Sequence, residues 1–516
     1  MRLVGIDAMR ELDRRAVQEH GLPVRALMEV AGAALAREAG ALRAGAGGPA
    51  VLLCGGGHNG GDGLVAARHL AAAGVPARVV LYADPARLSA APAANLALLQ
   101  GCGVPVTDGR GAAAEHVAAL LCGAGVVVDG LLGTGFRGPL RPPLPDVIAA
   151  VNACGAPVVS ADIPSGLSGE AGMGPDGPCI RARRTVCFGA VKAGVFAEPG
   201  RGFAGEVRLE PLGIPEAAWQ GLEVMDGLEP GTVAARLPAR SGAGHKGTYG
   251  TVLVLAGALG FSGAAALCAE GALRAGAGLC RVACPDAVAG VVAGFFREAT
   301  VRPLPSSSDG GVAPEASDRL PSLLEGVDAV VAGPGLGRGP GVRPLVARLL
   351  AAFAGPVVLD ADACNAADLE LLRTAAGGLV ITPHPGEAAR LLGSTSKAVQ
   401  GERAAAARRL AADGRCVAVL KGAGTLVAGP SGPIACNPTG NDGMGTGGSG
   451  DVLAGFIGGL LAAGAPPADA AAAGVYVHGL AGDLAAAALG RRAMLAGDVL
   501  RHIPAAFHAV LGAGRA

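Results

Sequence analysis

Net charge is the first thing this sequence lacks: across 516 residues, 42 lysines and arginines are matched by 42 aspartates and glutamates. That balance leaves no basic field to draw nucleic acid or an anionic membrane, so neither is expected as a partner and small metabolites are. Lysine itself is scarce. The positive charge is written almost wholly as arginine, with only Lys192, Lys246, Lys397 and Lys421 kept, and a lysine retained in such a chain reads as a place for a slim, flexible ammonium rather than a guanidinium fork. No C-x-x-C pair occurs among the twelve cysteines. Scattered through apolar segments, with Cys280 and Cys284 the closest pair, they read as core-filling thiols of a reducing compartment. No secretory leader is expected, because Glu11, Asp13, Arg14 and Arg15 interrupt the N-terminal apolar run, and a cytoplasmic location is the expectation. The one uncharged stretch long enough to suggest a membrane span, residues 247–269, is split by five glycines into a Val-Leu-Val-Leu strand, a turn and an Ala-rich helix.

What is present is glycine placed after strands. The stretch Gly443-Met444-Gly445-Thr446-Gly447-Gly448-Ser449-Gly450-Asp451 runs into the uncharged segment 452–461, which reads as a buried helix whose N-terminal N–H groups face an anion. Asp451 at that helix start would repel a bound phosphate unless it had chemistry to do. It reads as a base acting on a hydroxyl beside a phosphoryl group. Upstream, apolar strands near 51–54, 78–81, 126–129, 157–160 and 185–188 alternate with Ala/Leu-rich helical stretches, the pattern of a doubly wound parallel sheet. An amphipathic helix is expected over 24–39 and another over 64–73, with Asn59 and Asp62 inside the glycine turn between strand and helix. Ligands of such sheets bind beyond the carboxyl ends of the strands, and there stand Asp129, Asp162 and Lys192.

The length allows two domains, and around 221–245, near the single tryptophan Trp219, the pattern dissolves into Pro, Gly and Arg. The expected domains are 1–225 and 226–516. The second repeats the theme: strands near 252–255, 329–332, 357–360, 379–382 and 416–420 end in Gly333-Pro334-Gly335, Asp360, His384 between two prolines, and Lys421-Gly422-Ala423-Gly424-Thr425. A lysine beside glycines offers a cation and free N–H groups to a nucleotide.

In the first half, GGGHNGGDG, DGLLGTGFRGPL, DIPSGL and FGAVKAG together resemble the NAD(P)H-hydrate epimerase domain. The resemblance implies that His58, Asn59, Gly60, Gly61, Asp62, Gly133, Thr134, Gly135, Phe136, Arg137, Gly138, Pro139 and Asp162 hold the hydrated nicotinamide nucleotide, and that Asn59, Asp129 and Ser165 ligate K+. The family usually carries Asn where this chain has His58. Asp162 is the candidate to shuttle a proton in epimerisation, and Lys192 its charge partner. In the second half, HKGTYG, GPGLG, LDADACN, ITPHPGEAARLL, VLKGAGT and NPTGNDGMGTGGSGDVLAGFIGGLLAAG resemble the ADP/ATP-dependent NAD(P)H-hydrate dehydratase, a ribokinase-like fold. That implies Lys421, Gly422, Ala423, Gly424, Thr425 and Gly450 on the adenine nucleotide, and Ala264, Gly335, His384 and Asp451 on the hydrate. Mg2+ is expected with ADP or ATP, and a homo-oligomer is expected.

The expected architecture is therefore α/β in two domains, an N-terminal Rossmann-like doubly wound sheet and a C-terminal ribokinase-like α/β domain. Loop chemistry alone also fits a ribokinase-like small-alcohol kinase with a non-catalytic nucleotide-binding module in front.

Overall fold

The computed structural model describes residues 1–43, 47–111, 114–136, 138–170 and 174–513. They divide into two compact units, Met1–Met225 and Asp226–Ala516.

The first unit is built on a seven-stranded sheet in which all neighbours are parallel, in the order Val106–Asp108, Ala77–Leu81, Ala50–Cys54, Val126–Gly130, Val158–Ala161, Arg184–Phe188, Glu206–Glu210. The central strands Ala50–Cys54, Val126–Gly130 and Val158–Ala161 are buried at every position. Helices cover both faces, so these strands are continuous apolar runs rather than alternating ones. The chain starts beside Val126–Gly130, works outward one way to Val106–Asp108, then returns to build the other side. The loops after Cys54 and Gly130 consequently diverge at one carboxyl edge, the crevice where such sheets bind ligands. A separate parallel pair sets Leu3 against Val191 and Val4 against Lys192. It carries the helix Ile6–Gln18, whose Met9 and Leu12 pack on Val4, Ala190 and Ala218.

The expected helices occur at Val24–Arg43 and His58–Ala72. The second begins six residues earlier than the periodicity suggested, inside the glycine turn. A Cβ on Gly60 would lie 1.9 Å from the Gly55 carbonyl oxygen, so a bare backbone lets the first helical turn press onto the strand end.

In the second unit the strand Thr251–Leu255 lies between Leu279–Pro285, followed by Ala299–Leu304, on one side and Ala329–Ala332, Val357–Leu359, Leu379–Ile381 and Val417–Leu420 on the other, all parallel. Leu426–Ala428 and Ile434–Cys436 then continue antiparallel. The stretch 247–269 separates into that first strand and the helix Ser262–Ala275. This helix packs on Ser449–Ala462 backbone to backbone: a Cβ on Gly455 would stand 1.8 Å from the Cys268 oxygen, and one on Gly459 2.3 Å from the Ala272 oxygen. Glycine inside a helix lowers its intrinsic stability, and close packing is the compensating gain. The helix Pro467–Leu489 is long and apolar enough to cross a membrane; 61% of its apolar window is buried inside the protein, as in a core helix. The stretch 221–245 is less irregular than its composition suggested. It holds a short strand, Val224–Gly227, and a helix, Pro230–Ala234, whose Val233 enters the core of the second unit.

Candidate active sites

In the first unit four segments meet at the carboxyl edge. His58 opens the helix His58–Ala72 and faces solvent, while Gly60, Gly61 and Asp62 are buried behind it. Asn59, also in the first helical turn rather than in a turn, spans the site: its Nδ2 donates to the Leu132 oxygen at 2.9 Å and to the Ala161 oxygen at 2.7 Å. That fixes the amide and leaves Oδ1 as its acceptor, against Gly133, where a Cβ would come within 2.5 Å of it.

Asp129, fully buried, accepts from the Ser160 hydroxyl at 2.8 Å, the Ser165 N–H at 2.9 Å, the Ser165 hydroxyl at 2.5 Å and the Leu131 N–H at 3.3 Å. Burial raises its pKa, and the hydrogen bonds from Ser165 and Ser160 oppose that rise. The Ser165 hydroxyl also accepts from the Leu132 N–H at 2.9 Å. Asn59, Asp129 and Ser165 are thus joined through Leu131 and Leu132. The loop that follows turns on a Phe136 N–H to Gly133 oxygen bond of 3.0 Å, and the Thr134 oxygen accepts from Arg10 at 3.0 Å. Gly135, Gly138 and Pro139 are exposed, and Arg137 lies outside the described residues.

Asp162 closes the site. Its φ is 65°, left-handed for a residue with a Cβ, a conformation kept only where surroundings over-determine it. Here the Asp162 N–H donates to the Val186 oxygen at 2.8 Å, and its carboxylate accepts from the Phe188 N–H at 3.1 Å and from Lys192 Nζ. Lys192 is 1% exposed and donates also to the Phe188 oxygen at 2.8 Å and the Ala190 oxygen at 3.1 Å. With three acceptors for three protons, the ammonium is fixed. Among the described residues Asp62 has no such partner. Burial raises its pKa well above the usual carboxylate value, and Asp162 and Asp13 add to the rise.

In the second unit the helix Ser449–Ala462 starts from Gly448 at φ 92°, and no side chain caps it. Its first N–H groups are therefore available to an anion. A Cβ on Gly450 would lie 3.4 Å from Lys421 Nζ and 3.8 Å from an Asp360 carboxylate oxygen, so helix start, lysine and carboxylate are neighbours. Lys421 donates to Asp360 at 2.6 Å, and the Thr382 hydroxyl donates to the same oxygen at 2.7 Å. Burial alone would lower the Lys421 pKa; the carboxylates of Asp360 and Glu387 outweigh it and hold it above the ordinary lysine value. Asp451, half-buried on the first turn, is pushed up to about 7 by burial and then by Asp360, with Lys421 pulling the other way. A carboxyl titrating there can both take and return a proton near neutral pH.

Lys421 to Thr425 form the tip between the strands Val417–Leu420 and Leu426–Ala428. The Thr425 hydroxyl donates to the Gly422 oxygen at 2.8 Å. Buried Arg403 donates to the oxygens of Leu420 at 3.2 Å, Lys421 at 3.4 Å and Gly424 at 3.4 Å. Gly422 and Ala423 remain exposed. Ala264 and Gly335 touch, with 2.9 Å from a Cβ built on Gly335 to that of Ala264. His384 caps the helix Pro385–Leu391: its Nδ1 accepts from the N–H groups of Gly386 at 3.0 Å and Glu387 at 3.3 Å. Its Nε2 lies 3.4 Å from a Glu387 carboxylate oxygen.

A family model described as YjeF-related protein N-terminus matches residues 24–194, and one described as NAD(P)H-hydrate dehydratase matches residues 252–505. The bifunctional NAD(P)H-hydrate repair enzyme Nnr of Moorella thermoacetica is 41% identical over 98% of this chain and 96% of its own length. The chain belongs to the bifunctional NAD(P)H-hydrate repair enzyme family. The Escherichia coli enzyme of the same name is 36% identical over 87% of this chain and 83% of its own. Among solved structures, the ADP/ATP-dependent NAD(P)H-hydrate dehydratase of Bacillus subtilis, co-crystallised with ATP and Mg2+, is similar at 33% identity and a TM-score of 0.49, over 55% of this chain and 99% of that one. As in its family, the first unit is the epimerase module and the second the dehydratase module.

Sequence reasoning assigned no role to two residues that hold this repair enzyme's second site. Asp360 was visible only as one acid of Asp360-Ala361-Asp362 at a strand end, and nothing local ties it to Lys421, 61 positions away. Arg403 gave no signal at all, being one arginine in an Arg/Ala-rich helix.

Proposed function

We infer that this chain repairs hydrated NADH and NADPH, the first unit interconverting the R and S hydrates and the second dehydrating the S hydrate with ADP or ATP. The observation that carries the reading is the second site: an uncapped helix start, a lysine and a carboxyl titrating near 7 within one turn of each other. Hydroxide is a poor leaving group, so elimination needs the hydroxyl converted into a phosphate ester. Asp451 takes the hydroxyl proton, while Lys421 and the N–H groups at Ser449 and Gly450 stabilise charge on the transferred phosphoryl group. Phosphate then departs as the ring nitrogen supplies its lone pair, leaving NAD(P)H, phosphate and AMP from ADP, or ADP from ATP. Lys421 to Thr425 receive the adenine nucleotide on the exposed side of the tip whose carbonyls Arg403 holds. Ala264, Gly335 and His384 contact the hydrate.

In the first unit His58 to Asp62 and Gly133 to Pro139 embrace the nucleotide, with Asp162 and Lys192 beneath the hydrated ring. K+ would be held by Asn59 Oδ1, Asp129 and Ser165; the donor set fits, being oxygens only, with the Asn59 nitrogen already engaged by two carbonyls. The ion would supply positive charge beside the nucleotide phosphates. Mg2+ would arrive with ADP or ATP, since among the described residues no group of three or more His, Cys, Asp or Glu is placed to hold a metal. The twelve cysteines are free thiols, which suits a cytoplasmic enzyme. A homo-oligomer is part of the same reading and is measured by light scattering.

The test is a mixture of both NADH-hydrate epimers with ADP or ATP and Mg2+, followed by reduced-nicotinamide absorbance. Complete recovery requires both activities. Recovery that stalls when the S form is consumed reduces the first unit to a binding module, and no recovery favours a small-alcohol kinase.

A further inference from the structure

The helix Ile6–Gln18 brings to the first site an ionisable group that the mechanism above leaves unused. Residues 6, 9, 10 and 13 fall on one stripe of that helix, at the i, i+3, i+4, i+7 spacing of a single face. Three of them touch segments that build the site. Ile6 Cδ1 lies 2.2 Å from where a Cβ on Gly169 would stand, and the Met9 methyl 3.1 Å from one on Gly189. Arg10 donates to the Thr134 oxygen at 3.0 Å. The strand that precedes the helix is pinned with Val4 opposite Lys192. Asp13 is the fourth member, one turn beyond Met9 and Arg10.

Asp13 has neither hydrogen bond nor ion pair among the described residues. Its ionisation is nevertheless tied to the site: Lys192 favours the charged form and Asp162 disfavours it, while Asp62 in turn responds to Asp13, Asp162 and Lys192. Lys192, Asp162 and Asp62 are the charged groups whose fields reach it. Surrounding protein desolvates the carboxyl and raises it to about 6, although the side chain keeps an exposed surface. An accessible atom in crowded surroundings is what the wall of a concave site presents. A carboxyl on an open helix face would titrate near 4.

We propose that Asp13 is the proton-exchanging carboxyl of the epimerase site, acting on the hydroxyl of the hydrated ring while Asp162, bound to Lys192 and the Phe188 N–H, supplies fixed negative charge. The inference rests on the epimerase reading above. In its acid form Asp13 gives its proton to the hydroxyl on the carbon next to the ring nitrogen. The C–O bond breaks as the nitrogen lone pair forms a C=N bond, and water leaves. Water then adds to the other face of that carbon, the lone pair returns to nitrogen, and the surplus proton passes back to Asp13 through the water just released. Atoms, charge and electrons balance with water as the only co-reactant.

Chromatographic separation of the two NADHX epimers, without ADP or ATP, reads this step independently of the second unit. In Asp13→Asn the R-to-S rate falls by about 10² or more, and the wild-type loss of rate as pH rises through about 6 disappears. NADP+ binding to the variant stays within about twofold of wild type, because positioning of the nucleotide is left to other residues, and Asp13→Glu restores part of the rate. The proposal is overturned by an Asn variant within about threefold of wild type, by an unchanged pH profile, or by NADP+ binding lost in step with rate. A wild-type protein inactive on the R epimer overturns the epimerase reading itself, and needs no variant to be seen.

Discussion

Replacing Asp451 with Asn separates what the carboxyl does for catalysis from what it does to stability. A carboxyl that titrates at about 7 in the folded chain instead of 3.8 carries about 4 kcal/mol against ionisation, at ~1.36 kcal/mol per pH unit. The side chain is half-buried rather than enclosed, and solvent screening reduces the expected figure to about 2 kcal/mol. The sign follows from linkage: between pH 4 and 7 the unfolded chain has lost this proton and the folded chain has not, so the wild type loses stability as pH rises through that window. Asparagine abolishes the penalty. For a unit of this size about 2 kcal/mol corresponds to a rise of about 3 °C in melting temperature. The full gain is expected at pH 8, shrinking as pH falls below 7 and absent below pH 4. In the same variant kcat for S-hydrate dehydration falls by about 10² to 10⁴, while ADP binding is kept. Scanning calorimetry at pH 8, 6 and 4, with titration calorimetry for ADP, measures both. A variant no more stable than wild type at pH 8 would refute the burial argument, and one that still turns over would refute Asp451 as the base.

Three further substitutions probe the second unit. Lys421→Met leaves the Asp360 carboxylate, 1% exposed, with the Thr382 hydroxyl as its remaining side-chain donor among the described residues; a loss of about 3 kcal/mol is expected in urea unfolding, together with weaker ADP binding. Arg403→Met frees the carbonyls of Leu420, Lys421 and Gly424, so KM for ADP rises by about tenfold, the equivalent of ~1.4 kcal/mol of lost positioning, with kcat at saturation little changed in steady-state assays. Gly455→Ala puts a Cβ where 1.8 Å separates it from the Cys268 oxygen, forcing two core helices apart. A destabilisation of about 1–3 kcal/mol should appear as a lower melting temperature.

Much of the topology was legible because the central strands of both sheets are parallel and buried. Each central strand had to be a short apolar run, and each ligand-bearing turn had to follow one, so 51–54, 126–129, 329–332 and 416–420 could be read within a residue or two. The glycine run at 55–63 misled in one respect. Glycine was read as an open turn, whereas at Gly60 it serves close approach, which starts the helix early and places Asn59 and Asp62 on it. The strand Arg2–Val4 went unread because three residues give little periodic signal; the helix Ile6–Gln18 went unread although Met9, Leu12 and Ala16 recur at helical spacing, because its charges were weighed only against a leader.

What the sequence by itself determined was local and chemical: which segments are strands, which turns carry glycine, and that four rare lysines are worth following, two of which, Lys192 and Lys421, meet carboxylates in the fold. Only the tertiary structure decided the pairings. Lys192 meets Asp162 across 30 positions, Lys421 meets Asp360 across 61, and Asn59 reaches Ala161 across 102. A parallel sheet puts residues distant in sequence side by side at its carboxyl edge, and the electrostatics that raise Asp13 and Asp451 exist only once those edges are formed.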